Sequence, residues 1–150
     1  MKISLGCDEA AYQLKEIIKQ HLQEAGHEVI DNGVGEGEVE LYPDVAVRTC
    51  KKVTDGTCDR GILVCGTGIG MAMTANKVPG IRAAVCHDPF STERSILSND
   101  ANVMCMGARV IAPQLAIYLL DIWMGLTFKD GPSTPKVERI MEYQEAFCGK

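Results

Sequence analysis

Residues 60–77 constrain the chain more than any other stretch. Arg60-Gly61-Ile62-Leu63-Val64 is a short apolar run that reads as a buried strand. It passes without a spacer into Cys65-Gly66-Thr67-Gly68-Ile69-Gly70, and then into Met71-Ala72-Met73-Thr74-Ala75-Asn76-Lys77, the first turns of a helix. Glycines at 66, 68 and 70 permit positive φ angles and bring backbone N–H groups close to a ligand. The helix N-terminus adds partial positive charge. Such a nest suits an anion, whether a phosphate or a developing oxyanion. The same field favours the thiolate of Cys65. A basic sulfur beside an oxyanion cradle points to proton or acyl chemistry. The spacing is not the GxGxxG of a dinucleotide fingerprint, and no Gly-Lys-Ser/Thr follows to make a P-loop. Taken alone, the pattern also fits a tight turn that buries an inert cysteine.

The rest of the chain alternates in the same way. Lys2 to Cys7 reads as the first strand, followed by a helix with Leu14, Ile17, Ile18 and Leu22 on its apolar face and Gly26 at its end. His27 to Ile30 is the second strand, and Asp31-Asn32-Gly33 closes it. After a polar loop, Tyr42-Pro43-Asp44 starts a helix that runs to Val53. Beyond the Cys65 helix, Ile81 to Cys86 is strand four, Pro89 to Ser98 a helix and Ala101 to Cys105 strand five. Helices over Pro113–Met124 and Lys136–Phe147 complete the chain. This order predicts a three-layer α/β/α sandwich, Rossmann-like, on a five-stranded parallel sheet. With the first strand between the second and third, the strand order reverses there and opens a ligand crevice. Asp8 and Cys65, each at the carboxyl end of its strand, meet in it.

At 150 residues one domain is expected. A net charge of −5 with no long basic run argues against nucleic acid and anionic membrane as partners. No apolar run reaches membrane-spanning length, and the first six residues read as a strand and not a signal peptide. Seven cysteines show no CxxC and no metal spacing, and the three histidines are scattered. Reduced thiols, a cytoplasmic location and no metal or cofactor are therefore expected.

Gly6-Cys7-Asp8, Tyr42-Pro43-Asp44, the run from Asp59 to Gly70, Ala75-Asn76-Lys77-Val78-Pro79-Gly80-Ile81-Arg82-Ala83 and Asn99-Asp100-Ala101-Asn102-Val103 occur in this order. Together they resemble the ribose-5-phosphate isomerase B / galactose-6-phosphate isomerase family, over nearly the whole chain. The resemblance implies a single sugar-phosphate isomerase domain over 1–150, working without metal as a homodimer or dimer of dimers with its site at the interface. It implies Cys65 as the base that moves a proton between C1 and C2 through a cis-enediolate. Backbone N–H groups from Gly66 through Gly68, Ile69 and Gly70 would hold the oxygens, with Thr67 beside them. Asp8 and Asn99 would hold substrate hydroxyls, Arg109 the phosphate, and Tyr42 would line the pocket.

The chain departs from that pattern at three places. Members acting on ribose 5-phosphate usually carry Asp-His where this chain has Asp8-Glu9. They usually carry His-Asn-Asp, whose histidine helps open the sugar ring, where this chain has Ser98-Asn99-Asp100. They carry a C-terminal Gly-Arg-His-x-x-Arg where this chain has Gly131-Pro132-Ser133-Thr134-Pro135-Lys136. Lys136 then offers a point charge in place of a bidentate fork, with Arg139 as a second phosphate candidate. A ring-opening group is needed only for a cyclic substrate, and a tetrose 4-phosphate stays open-chain. The expectation is an erythrose/erythrulose 4-phosphate isomerase in preference to the family's default, ribose/ribulose 5-phosphate. The alternative is a non-catalytic or partner-dependent subunit of the galactose-6-phosphate type, against which Cys65 and Thr67 count.

Other residues carry plainer expectations. His87, at the end of strand four, could act in acid/base work but reads more simply as a polar loop histidine whose partner the sequence does not name, and Trp123, Met104 and Met106 read as core. Cys7, Cys86 and Cys105 read as buried small hydrophobes, and Glu138 with Arg139 as a solvated helix face. The helix with Tyr118, Leu119, Leu120, Ile122 and Trp123 has more apolar surface than one sheet face needs, which predicts a dimer at least.

Overall fold

Each apolar run of 60–107 becomes a strand, and each amphipathic run between the runs a helix. The computed structural model describes residues 1–148. The strands are β1 (Lys2–Cys7), β2 (Glu28–Asp31), β3 (Arg60–Cys65), β4 (Ala83–Val85) and β5 (Val103–Gly107). The helices are α1 (Tyr12–Glu24), α2 (Tyr42–Thr54), α3 (Ile69–Ala75), α4 (Pro89–Leu97), α5 (Pro113–Gly125) and α6 (Thr134–Cys148), with a 3-10 turn at Glu9–Ala11. The sheet order is β2-β1-β3-β5-β4, with every pair parallel, so β1 does lie between β2 and β3.

Successive residues of a strand point to opposite faces, and this builds two cores. Ile62 and Val64 of β3 join Leu14, Ile18 and Leu22 of α1, Ile96 of α4 and Leu119, Leu120 and Trp123 of α5. Leu63 and Cys65 join Val45, Ala46 and Cys50 of α2 and Met71, Ala72 and Ala75 of α3. Cys65 therefore points to the α2/α3 side. Met104, Met106, Trp123, Cys7, Cys86 and Cys105 are fully buried, as the sequence predicts.

Four expectations change. Ile17 is 41% exposed and lies off the core face. At 3.6 residues per turn, Leu14, Lys15, Ile18 and Leu22 share the buried sector, and Ile17 falls outside it. Lys15 is drawn inward because its ammonium donates to Asp31 Oδ2 at 2.9 Å and to the Val34 carbonyl at 3.1 Å. The second strand begins one residue later, at Glu28. β4 shrinks to three half-buried residues because it is an edge with a single partner. β5 starts at Val103, not Ala101, because Asn102 makes a polar corner: its Oδ1 accepts from Arg82 N–H and its Nδ2 donates to Gly80 O, both at 2.8 Å. No helix is long and apolar enough to cross a membrane among the described residues.

Candidate active site

Three parallel strands deliver the site to one edge of the sheet. β1 ends at Cys7 and Asp8, β3 at Cys65, and β5 at Gly107, opposite Cys65 in the register. Gly68 has φ +78, and the Met106 backbone lies 3.0 Å from where a Cβ would sit, so only glycine fits there. This folds the chain back so that Gly68 N–H donates to Cys65 Sγ at 3.1 Å. The sulfur is buried, with Cys65 at 5% exposure, and it sits beneath the first turn of α3. Ile69 N–H reaches Thr67 Oγ1 at 3.3 Å.

The cradle has walls on both sides. A Cβ on Gly70 would stand 2.7 Å from the Tyr42 ring, so the phenol end of Tyr42, at the start of α2, packs directly on Gly70. Ala108 N–H donates to Cys65 O at 2.8 Å and Arg109 N–H to Gly66 O at 3.0 Å. These bonds lay the Arg109 guanidinium along Gly66, 3.6 Å from its would-be Cβ. Asp8 closes the third side. Its Oδ1 accepts from Ala10 N–H at 3.1 Å and caps the 3-10 turn. Burial, then the neighbouring Glu9 carboxylate, pushes the Asp8 carboxyl above its ordinary value, with Arg109 opposing. Glu9 lies just outside, beside Glu36 and Glu38 on an open depression of about 330 Å³.

Asp8, Tyr42, Cys65, Gly66, Thr67, Gly68, Ile69, Gly70 and Arg109 thus converge in one chain. Ser98, Asn99, Lys136 and Arg139 do not join them. α4 starts at the carboxyl edge after β4 and returns to the amino edge, where β5 begins, so Ser98 and Asn99 lie a strand length away from Cys65. A five-residue strand spans roughly 16 Å. The chain reaches α6 from the end of α5, at that same amino edge. There Asn99 Nδ2 donates to Arg94 O at 3.0 Å, and Arg82 grips Asp100 through its carbonyl at 2.6 Å and its carboxylate at 2.7 Å. Lys136 is exposed, and Arg139 pairs with Glu142 at 2.6 Å on the solvated face expected of it.

Two residues were misread or passed over in the sequence. His87 has a partner after all: its Nε2 accepts the Gly107 N–H at 2.8 Å. Asn76 clasps the edge strand, with Oδ1 taking Ala83 N–H and Nδ2 giving to Ala83 O, both at 2.9 Å. The Asn76 clasp left a trace in the Ala-Asn-Lys block, whereas nothing local to His87 marks Gly107.

A thiol that accepts a backbone N–H, a carboxyl and a guanidinium thus stand together at the carboxyl end of the parallel strands, where open α/β sheets hold their ligands. A family model described as Ribose/Galactose Isomerase matches residues 3–140. A protein of Listeria innocua named ribose-5-P isomerase B is 50% identical over 97% of this chain and 98% of its own. A D-erythrulose-4-phosphate isomerase of Pectobacterium atrosepticum is 48% identical over 96% and 95%. The ribose-5-phosphate isomerase B of Clostridium thermocellum superposes with a TM-score of 0.95 at 41% identity, over 98% of this chain and 99% of that one. This chain belongs to the ribose/galactose isomerase family and is an aldose–ketose isomerase of sugar phosphates.

Proposed function

We propose that the crevice moves a proton between C1 and C2 of an open-chain sugar phosphate with Cys65 as the base, and that the four-carbon pair erythrose/erythrulose 4-phosphate is preferred over ribose 5-phosphate. The observation that carries the chemistry is the sulfur held at 3.1 Å from Gly68 N–H under the first turn of α3. A thiolate there takes the proton from the carbon next to the carbonyl. The electron pair moves to the carbonyl oxygen, and the enediolate is held by N–H groups that need no reorganisation. The hydroxyl proton passes from one enediolate oxygen to the other, and returning the first proton to the neighbouring carbon completes the exchange, while Arg109 holds the phosphate.

The substrate follows from what is missing. Serine at 98 offers no imidazole to open a ring, and a tetrose 4-phosphate has no ring to open because its O4 is phosphorylated. Lys136 replaces a fork by a point charge. Glu9, Glu36 and Glu38 line one flank with negative charge, which favours a phosphate seated on the Arg109 side. Relatives named for either sugar are about equally similar, at 50% for ribose 5-phosphate and 48% for erythrulose 4-phosphate, so the choice rests on positions 98 and 136.

A homodimer or dimer of dimers would complete the site, with Ser98, Asn99 and Lys136 of a partner chain meeting Cys65. Apolar side chains stand open on both halves: Leu41, Tyr42, Ile69 and Met73 around the cradle, and Ile140, Tyr143 and Phe147 on α6. Seven free thiols, six of them buried, fit a reducing cytoplasm. The test is kcat/KM for erythrose 4-phosphate against ribose 5-phosphate, because that ratio measures discrimination. A higher value for the four-carbon sugar is expected. A preference for ribose 5-phosphate that Ser98→His does not raise overturns the substrate assignment.

A further inference from the structure

We propose that His87 is a positioning residue for this site, a neutral imidazole that takes the Gly107 N–H and locks the Gly107-Ala108-Arg109 turn against the Cys65 loop. The argument starts with the sheet. β4 pairs with β5 as far as Val85 and Cys105, and Cys86 N–H still donates to Cys105 O at 2.9 Å. In a continued parallel ladder the next β5 N–H, that of Gly107, would go to a β4 carbonyl. The chain has by then turned away toward α4, with Asp88 as its cap. The His87 ring stands in for that carbonyl, with Nε2 2.8 Å from the Gly107 nitrogen. Gly107 is buried, so without the imidazole this N–H would have no water to turn to.

The turn held in this way carries site residues on both sides. A Cβ on Gly107 would meet the Thr67 backbone at 2.7 Å, so Gly107 and Thr67 touch through main chain alone. The next two N–H groups bind Cys65 O and Gly66 O. A shift at Gly107 therefore moves Thr67 and the Arg109 guanidinium together.

An imidazole that accepts at Nε2 carries its proton on Nδ1. Protonating Nε2 sets one N–H against another and opens the clamp. The groups facing the ring are few. Asp88 precedes α4, and its carboxylate is turned to Ser91 N–H at 2.8 Å. Cys86 lies before it with its thiol toward Ala84 O, Cys65 lies across Gly107 in the register, and Arg109 lies two residues beyond. Burial lowers His87 below its ordinary value, against the pull of Asp88, so the neutral ring persists as pH falls past the usual histidine range. The clamp is then lost as pH falls through that lowered value.

The proposal rests on the reading of Cys65 and Arg109 as site residues, and the experiment keeps the two apart. His87→Ala is expected to lose about 10- to 100-fold in kcat/KM, mostly through KM because Arg109 loses its seat. His87→Gln presents a carbonyl acceptor that does not titrate. It should recover most of the loss and flatten the acid limb of kcat/KM. A ¹⁵N spectrum of the unmodified enzyme should show His87 as the Nδ1–H tautomer, a readout independent of turnover and of whether the alanine variant folds. An alanine variant with full kcat/KM overturns the clamp. So does a glutamine variant no better than alanine, or an Nε2–H spectrum. Turnover that survives Cys65→Ala sinks the base assigned above and leaves the His87 spectrum to be judged by itself.

Discussion

At the carboxyl edge of the sheet, the loops after β3 and β5 are joined to each other main chain to main chain, with the His87 ring as the side-chain clamp on Gly107. Cys65 O and Gly66 O accept from the N–H groups of Ala108 and Arg109, and Gly68 N–H donates to the Cys65 sulfur. At the amino edge, side chains do the holding. Arg82 forks onto Asp100, which sits at φ +48 where few residues other than glycine are comfortable, and also reaches Met141 Sδ of α6 at 3.5 Å. Arg60 caps the last carbonyls of α5, donating to Trp123 O at 2.8 Å and Leu126 O at 2.6 Å. Backbone contacts depend on side-chain identity only where a glycine is required. The carboxyl edge can therefore keep one geometry while the amino edge changes its residues at Ser98 and Lys136.

The largest effect should fall on the carboxyl edge. Cys65→Ala is expected to cut kcat by about 10²–10⁴, the usual worth of a positioned base, with the fold unchanged. A steady-state assay decides it, and near-normal turnover would remove Cys65 from the chemistry. The comparison is sharpened by mixing edges. Asn99→Ala by itself should lose activity, and so should Cys65→Ala. Co-refolded in equal amounts they should regain about a quarter of the unmodified activity, because half of the dimers are mixed and each mixed dimer has one intact site. No regain, or sedimentation as single chains, would place each site within one chain.

Next in size is a test of the backbone contact. Gly107→Ala puts a methyl 2.7 Å from the Thr67 main chain, which has no flexible end to yield. A loss of about 1–3 kcal/mol in urea unfolding is expected, as for other overpacked sites. An unchanged midpoint would mean that the two loops are not rigidly joined.

The smallest effect belongs to a corner of the carboxyl edge that side chains hold. Burial works against the Asp31 carboxylate, but Lys19 and Lys15, each at 2.9 Å, outweigh it and hold its pKa below the ordinary value. The pKa is depressed in the folded chain, so the stabilisation is full above the unfolded value and is lost as pH falls through the folded one. Asp31→Asn should cost about 1–2 kcal/mol at pH 7, with the gap to the unmodified protein closing below about pH 4. A gap that stays constant down to pH 3 would show that the ion pairs contribute nothing.

Much of this was legible along the chain, because local rules act over a few residues. The apolar run at 60–64, the glycine turn after it and the alternation of strands and helices follow from hydrophobic period and backbone freedom. From these come the parallel sheet, the crevice between β1 and β3 and the meeting of Asp8 with Cys65. Other features answer only to residues far away in sequence. Ile17 faces solvent while Lys15 takes a place in the buried sector, held by Asp31 at the sheet edge and the carbonyl of buried Val34. β5 slides by two residues because Asn102 is spent on a corner with Gly80 and Arg82. Tyr42 lies on Gly70, and His87 takes Gly107, across gaps that no local pattern spans. The opposite placement of Asn99 and Cys65 comes from the direction in which α4 crosses the sheet. Periodicity can tell which face of an element is buried, but only packing decides which element lies opposite, and so which polar groups are brought within reach of one another.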